Sequence, residues 1–252
     1  MSIYFVLALN LCQGMSSRAV NVILILYAVE LGARPLVIGV IAAMFSLFPM
    51  LLAVPVGRLA DRFGARWLLL FGAAAAGCGL SLPFLFPGLL AVFIAAAMSG
   101  LQVVNYNVCL QNLVGLLSNS QTRTRNFSNY SLVSSVGDFL GPLIAGFSID
   151  LWGHGSTCLY VAMFWLVPVA MLVVRGGAMR GGALPARHPG GSVRSLLAEP
   201  GLARTLATSS LLVTGNGLYQ YYMPVYAHAA GLSASTIGMV LAVNAAAQFV
   251  VQ

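Results

Sequence analysis

Eight long apolar stretches follow one another along this chain, and they constrain its fold more than any other feature. Each is close to or above the length of about 20 residues that a helix needs to cross a hydrocarbon core of about 30 Å. Charged residues make up only 7% of the sequence, against about 25% in soluble domains. We therefore predict an all-α, polytopic helical membrane protein with spans over 3–29, 36–56, 67–86, 88–116, 127–150, 156–174, 204–227 and 234–252.

The arginines lie almost entirely in alternate connections between these stretches. Ten of the twelve belong to the connections after the second, fourth and sixth spans, and the positive-inside rule places that side in the cytoplasm. We therefore expect a cytoplasmic N-terminus and a location in a bacterial inner membrane. The net charge of +7 is then loop charge beside the lipid bilayer, so no nucleic-acid partner is predicted.

Residues suited to metal or covalent chemistry are few and scattered. The four cysteines fall in four different apolar stretches without CxxC spacing, which predicts neither a disulfide framework nor a metal site. The sequence has no G-x-S-x-G, H-E-x-x-H or phosphate-binding loop, and its three histidines lie outside the predicted bilayer core. We therefore predict no enzymatic activity and no cofactor.

The sixth and seventh stretches are separated by a long segment rich in Gly, Pro and Arg, 175–203. Its length and composition predict a flexible cytoplasmic linker, with a short interfacial helix near 192–198. It divides an N-terminal six-helix bundle over 1–174 from an incomplete second bundle of two helices over 204–252. The second part repeats the first at an offset of 199, and it is expected to break off before a second copy of segment 57–66. The matches are Tyr27-Ala28 with Tyr226-Ala227, Gly32 with Gly231, and Ile38-Gly39 with Ile237-Gly238.

A charged motif, GRLADRFGAR, occupies the connection between the second and third spans, residues 57–66. It resembles the G-x-L-a-D-r-x-G-r-k signature that the major facilitator superfamily carries between its second and third helices. Ala65 stands where a basic residue is usual. The resemblance covers the whole chain and implies a fold of two six-helix halves, of which the first and helices seven and eight of the second are present.

The resemblance also implies a role for this motif as a cytoplasmic gating loop. Its members would contact the other half of the protein in one conformation and release it in the other. In the alternative interpretation, the arginines only determine topology and bind anionic lipid. The residues assigned to the gating loop are Gly57, Asp61, Arg62, Gly64 and Arg66.

The fifth span carries small residues that resemble part of the G-x-x-x-G-P-x-x-G-G signature of superfamily exporters. The signature is incomplete, since Leu143, Ile144 and Ala145 follow the Gly-Pro pair, and the fourth span lacks the arginine that many proton-coupled exporters have. Plain close packing of helices is an equal alternative. The residues assigned to packing and hinge motion are Gly137, Gly141, Pro142 and Gly146.

Two charged residues, Arg18 and Asp138, fall deep inside predicted spans. An ionised side chain there is costly and normally faces an interior cavity and a partner. At 1.5 Å per residue, Arg18 lies roughly 22 Å along the first helix and Asp138 roughly 16 Å along the fifth. We therefore expect the two to pair near the bilayer midplane beside a substrate path, or alternatively to form a fixed salt bridge that only joins two helices.

Uncharged polar residues form stripes on three further helix faces. Such stripes either line water or satisfy one another between helices. In the family, helices one, four and seven border the central cavity, so we interpret these stripes as parts of a wet path. With the charged pair, the predicted substrate and ion pathway comprises Asn10, Gln13, Ser17, Arg18, Asn21, Gln102, Asn105, Asn112, Asp138, Asn216 and Gln220.

These features predict a secondary active transporter that moves a small organic solute by alternating access. Export coupled to an ion gradient, with protons as one candidate ion, is favoured over import by a sugar or organic-acid symporter. A non-transporting membrane receptor is a remote alternative, because neither an internal repeat nor a gating loop is expected of one. The expected partners are the small-molecule substrate and the lipid bilayer, and the full-length protein is expected to be monomeric.

Overall fold

The computed structural model describes residues 2–175 and 200–251, which form helices joined by short connections. Residues 176–199, which include most of the expected linker and its short helix near 192–198, lie outside the described part. The helices, numbered here in chain order, are α1 Ile3–Glu30, α2 Pro35–Phe63, α3 Ala65–Leu85, α4 Leu89–Leu116, α5 Arg123–Phe164, α6 Leu166–Arg175, α7 Pro200–Ala229 and α8 Ala234–Val251.

Helix length and composition agree with the predicted class of protein. Four of the helices, α1 to α4, are individually long and apolar enough to cross a membrane. The continuous segment Arg123–Arg175 also qualifies, and at 53 residues it is long enough to cross twice. The chain is therefore an integral membrane protein built from helices, as the apolar stretches predict.

The charged motif does not form the loop expected between spans 36–56 and 67–86. Instead, α2 stays helical through Asp61 to Phe63, and α3 begins at Ala65. Gly64 alone leaves the helical conformation, with φ of +83°, in the left-handed region that glycine tolerates best. The prediction was wrong here because charged residues mark where a segment leaves hydrocarbon, and a helix continues into water until a residue breaks it.

The fifth and sixth spans join in a way that hydropathy alone does not show. Within α5 the helix breaks at Gly153, with φ of +75°, so that its first arm corresponds to the predicted span 127–150. The second arm, 154–164, continues after Trp165 into α6, and the two form the sixth crossing. The next helix, α7, begins at Pro200, where proline is compatible with the first turn.

The core of the bundle is built around α1. Its side chains Leu9, Ile23 and Leu24 are fully buried, and it lies against α4, α5 and α7. In contrast, α2 exposes large apolar side chains such as Leu36 and Met50, which in a bilayer face lipid. A central helix surrounded by others is the arrangement that lets polar side chains on α1 avoid hydrocarbon.

The helix connections lie at two ends of the bundle. The arginine-rich end is where α2 meets α3 at Gly64 and α4 meets α5 over residues 117–122. The opposite end is where α1 meets α2 over residues 31–34 and α7 meets α8 over residues 230–233. The sequence predicts that the arginine-rich end faces the cytoplasm.

Candidate functional site

Arg18 of α1 and Asp138 of α5 form a bidentate ion pair inside the bundle. Arg18 Nε donates to Asp138 Oδ1 at 2.7 Å, and Nη2 donates to Oδ2 at 3.1 Å. The remaining terminal nitrogen, Nη1, donates to the side-chain oxygen of Gln220 on α7. The two charged side chains are 33% and 34% exposed, so the pair borders open space instead of being sealed within the core.

Close approach of α1 and α5 sets the position of this pair. A Cβ atom built on Gly137 would lie 3.0 Å from Gly14 Cα, and one built on Gly141 would lie 2.6 Å from Arg18 Cβ. Any larger residue at Gly141 would push the two backbones apart and change the distance between the charged groups. The small residues of α5 therefore hold the pair together, in addition to the charges themselves.

A cavity of about 310 Å³ opens beside the ion pair. Amide, hydroxyl and phenol side chains form most of its wall, while Phe45 and Val103 are the apolar side chains in it. Helices α1, α2, α4, α5 and α7 all contribute. The lining residues are Gln13, Gly14, Ser17, Arg18, Asn21, Phe45, Val103, Asn107, Gln111, Tyr130, Ser134, Asp138 and Tyr221.

A smaller cavity of about 50 Å³ lies on the other side of the same pair and brings α8 into the site. Gln248 of α8 donates to Asn216 of α7 at 2.8 Å, which fixes the two amides on facing helices. Arg18 and Asp138 are therefore shared between two adjoining polar spaces. The lining residues are Arg18, Asn21, Val22, Ser135, Asp138, Pro142, Gln220, Leu241, Asn244, Ala245 and Gln248.

The predicted residues of α1 divide between the cavities and the helix interface. Gln13, Ser17 and Asn21 line the larger cavity. Asn10 does not, because its amide nitrogen donates to the Tyr130 backbone oxygen and to Ser134 Oγ, at 3.0 and 2.9 Å. The structure therefore corrects the pathway assignment of Asn10, which serves as an interhelical hydrogen-bond donor.

On α4 the sequence selects the wrong face of the helix. Gln102, Asn105 and Asn112 are absent from the lining of both cavities, whereas Val103, Asn107 and Gln111 border the larger one. Asn105 is buried against α3, close to Gly72, and among the described residues Gln102 accepts a hydrogen bond from Ser17 Oγ alone, at 3.4 Å. Since α4 packs against both α2 and α3, one amide stripe meets protein while the other meets open space.

On α7, Gln220 contacts Arg18 and lines the smaller cavity, whereas Asn216 is linked to the site through its bond with Gln248. Sequence reasoning did not include Asn107, Gln111, Asn244 and Gln248. These are pairs of amides four residues apart, which lie on one face of a helix. That spacing indicates a polar helix face, although the other amide stripe of α4 has helical spacing as well.

The residues assigned to the gating loop lie at the arginine-rich end. The Arg62 guanidinium lies 5.3 Å from the ring centre of its neighbour Phe63. Arg66 Nη2 donates to the Val173 backbone oxygen at the end of α6, at 3.3 Å. Asp61 is exposed. Because these two contacts stay within the first six crossings, gating by this segment remains a prediction.

At the opposite end, α5 and α8 are joined by a tight seam. The Asp150 carboxylate accepts hydrogen bonds from the backbone N–H groups of Ser235 at 2.8 Å and Ala234 at 3.2 Å, and it thereby caps the first turn of α8. A Cβ on Gly146 would lie 2.4 Å from the Ala234 oxygen, and one on Gly238 would lie 2.4 Å from the Pro142 oxygen. The backbones touch along this seam.

A further set of contacts joins helices of the first six crossings at the opposite end. His154, just after the break in α5, pairs with Glu30 at the end of α1 at 2.6 Å. Its ring stacks on Tyr27 with 5.7 Å between centroids, and the Tyr27 hydroxyl donates to the Pro83 backbone oxygen at 3.3 Å. The ends of α1, α3 and α5 are thereby tied together.

Comparison with known proteins places this arrangement in a family. The family model described as Major Facilitator Superfamily matches residues 6–252. In structure, the chain is similar to a POT family transporter solved in complex with 5-aminolevulinic acid, with a TM-score of 0.64 and 17% identity, covering 93% of this chain and 48% of that chain. At that identity the similarity shows the fold alone.

Relatives in sequence are proteins named for export or resistance. The chain is 29% identical to the efflux pump azaK of Aspergillus niger over 56% of this chain and 28% of that protein. It is 26% identical to the multidrug resistance protein MdtH of Yersinia pestis over 72% of this chain and 47% of that protein. The chain thus spans less than half the length of these relatives. Since the family model matches nearly all of its residues, the chain belongs to the major facilitator superfamily.

Proposed function

We propose that the protein is a secondary active transporter that moves a small organic solute by alternating access. The observation that carries this proposal is the one-third exposed Arg18–Asp138 pair, which borders a polar cavity between α1, α4, α5 and α7. Charged groups at this depth are costly unless they face a cavity or a partner, and this pair has both. A purely structural salt bridge would need no adjoining space.

The two ends of the bundle differ in a way that supports alternating access. The larger cavity extends along α4 to Gln111 and along α5 to Tyr130, which both lie toward the arginine-rich end. At the opposite end, the Asp150 cap and the α5–α8 seam hold these two helices in direct contact. The structure therefore supports a conformation that is closed at the opposite end, and transport would require this seam to separate.

Helix α5 connects the ion pair to that seam. Its Gly141 lies against Arg18, and its next residue, Pro142, lies against Gly238 of α8. Movement of α8 away from α5 would therefore also remove the wall of the smaller cavity that Asn244 and Gln248 provide. A solute or ion that alters the Arg18–Asp138 pair would bias the seam through the same helix.

Export coupled to an ion gradient is the direction that we propose. The relatives named as efflux and resistance proteins support export, whereas the incomplete glycine signature after Pro142 keeps import as the alternative. Asp138 is the carboxylate in the walls of the two described cavities. Binding of a proton there would neutralise one member of the pair, so Asp138 is the residue that we assign to ion coupling.

The remaining sequence predictions belong to this proposal. We propose that the protein lies in a bacterial inner membrane with a cytoplasmic N-terminus and acts as a monomer. We also propose that the segment formed by Gly57, Asp61, Arg62, Gly64 and Arg66 gates the arginine-rich end. The exposed Asp61 side chain is available for a contact that forms only when that end closes.

Transport by inverted and right-side-out membrane vesicles tests the function and its direction together. Vesicles that contain the full-length protein are incubated with a small-molecule extract of the source cells while a pH gradient is imposed. The contents of the vesicles are then measured by mass spectrometry. We expect at least one solute to accumulate in inverted vesicles and to be lost when the gradient is collapsed. Accumulation only in right-side-out vesicles would establish import, and no accumulation in either would contradict transport.

A further inference from the structure

We infer that the transported solute is a zwitterion, whose carboxylate binds Arg18 and whose ammonium group binds Asp138. This inference rests on the proposed function and specifies the chemical class of solute for the same site. It follows from three properties of the two cavities: their charge balance, the hydrogen-bonding capacity left on the ion pair, and the polarity of the remaining wall.

The charge balance of the site favours a solute without net charge. Arg18 and Asp138 are the charged side chains in the walls of the two described cavities, so their sum is zero. A solute with a net charge would be attracted by one member of the pair and repelled by the other at a similar distance. It would also lose the hydration of its own charge. A zwitterion gains two attractions when its charges are placed opposite to those of the pair.

Arg18 retains donors for a carboxylate. A guanidinium has five N–H donors, and three are used by Asp138 and Gln220. The two that remain, one on each terminal nitrogen, can donate charge-assisted hydrogen bonds to a carboxylate. A carboxylate can therefore bind Arg18 before the existing ion pair is broken.

The surroundings of Asp138 retain acceptors for an ammonium group. Each carboxylate oxygen accepts one hydrogen bond from Arg18 and has a further lone pair. Pro142 has no N–H to donate to the Asp138 backbone carbonyl four residues earlier, so this carbonyl lacks its usual helical partner.

The rest of the wall suits a small polar solute and gives little surface to a lipophilic one. In the larger cavity, six amide or hydroxyl side chains and two tyrosines outnumber Phe45 and Val103 as apolar contacts. A volume of about 310 Å³ lies at the lower end of the range of roughly 300–1,000 Å³ that small-molecule sites occupy. The described part of the site therefore fits a compact polar molecule such as an amino acid or a short peptide.

The thermal stability of the purified full-length protein tests the inference. The probes are the protein amino acids and their dipeptides, each with its methyl ester and its deaminated analogue, together with the lipophilic cations tetraphenylphosphonium and ethidium. We expect stabilisation by at least one free zwitterion, with about tenfold weaker binding for each analogue, because each loses a charge-assisted hydrogen-bonded contact. Stabilisation by the lipophilic cations alone, equal binding of acid and ester, or no shift with any zwitterion would overturn the inference.

Two variants link the selectivity to the residues. Arg18→Gln is expected to bring the ratio of ester to acid binding close to one, and Asp138→Asn is expected to do the same for the deaminated analogue. The control is Ser81→Ala, which removes a hydroxyl on α3 that donates to the Cys78 backbone oxygen. We expect it to leave both ratios unchanged. Ratios that stay unchanged in folded Arg18→Gln protein would contradict carboxylate binding by Arg18.

Failure of this inference can be distinguished from failure of the proposed function. If vesicles accumulate tetraphenylphosphonium or ethidium while no zwitterion stabilises the protein, the protein is a transporter and the substrate class is wrong. If a zwitterion binds with the expected selectivity but is not accumulated in either vesicle orientation, the site is correct and the transport proposal is wrong.

Discussion

Asp138→Asn is expected to abolish transport, with a loss of at least a hundredfold in the rate of solute uptake by vesicles. Asparagine preserves the shape of the side chain but leaves Arg18 charged, with only a neutral amide opposite it. Loss of one partner from a buried ion pair costs about 3–5 kcal/mol, but this pair is one-third exposed, so we expect a smaller structural cost. The larger effect on transport follows because the carboxylate that we assign to ion coupling is also removed.

A double variant separates the structural and functional roles of this pair. Arg18→Gln combined with Asp138→Asn removes both charges, and the uncompensated guanidinium that destabilises the single variant is absent. We expect the double variant to recover thermal stability while remaining inactive in vesicles. Recovery of normal transport in the double variant would mean that the pair only joins α1 to α5, which is the alternative that the sequence left open.

Gly146→Ala is expected to have the second largest effect, because it places a methyl group in the seam between α5 and α8. The new Cβ would lie 2.4 Å from the Ala234 backbone oxygen and 3.0 Å from the Ala234 carbonyl carbon, and a backbone in a helix cannot move aside as a flexible side chain can. Overpacking of this kind costs about 1–3 kcal/mol. This cost destabilises the conformation that is closed at the opposite end. Because the transport cycle needs that conformation, we expect the transport rate to fall by roughly tenfold or more.

Gly39→Ala provides a matched control for this prediction. Gly39 lies in α2, and no atom lies within 4 Å of a Cβ built on it. We expect its melting temperature and transport rate to equal or exceed those of the unaltered protein, since alanine is favoured over glycine within helices. If Gly146→Ala behaved as Gly39→Ala does in both assays, the seam would not be a closed contact during the transport cycle.

The sequence predicts those features that arise from the cost of charge in hydrocarbon. Arg18 and Asp138 could be paired from sequence because each would be expensive alone and both fall at a similar depth in helices that run in the same direction. The positions of the crossings follow from the same cost. The glycines of α5 indicate close packing, although the sequence does not show that Gly141 meets α1 while Gly146 meets α8.

Helix ends and helix faces were harder to predict. The charges at Asp61 and Arg62 signal departure from the bilayer but do not end α2, which needs the positive φ of Gly64. On α4, two stripes of amides have helical spacing, and the sequence contains nothing that tells which stripe faces a neighbouring helix. In the structure, the packing of α4 against α3 at Gly72 encloses Asn105, whereas Asn107 lines the larger cavity.

We expect water to reach the Arg18–Asp138 pair through a passage inside the bundle, and labelling of introduced cysteines measures whether it does. Single cysteines replace Asn107 in the cavity wall and Met50, an apolar α2 residue that is 79% exposed, in protein whose four native cysteines have been replaced. A membrane-impermeant, anionic methanethiosulfonate is applied to inverted and to right-side-out vesicles. We predict that Asn107→Cys reacts in inverted vesicles, because the proposed orientation places the arginine-rich end on their outside, and that Met50→Cys reacts in neither. An unreactive Asn107→Cys in both orientations, with the variant folded, would contradict the account.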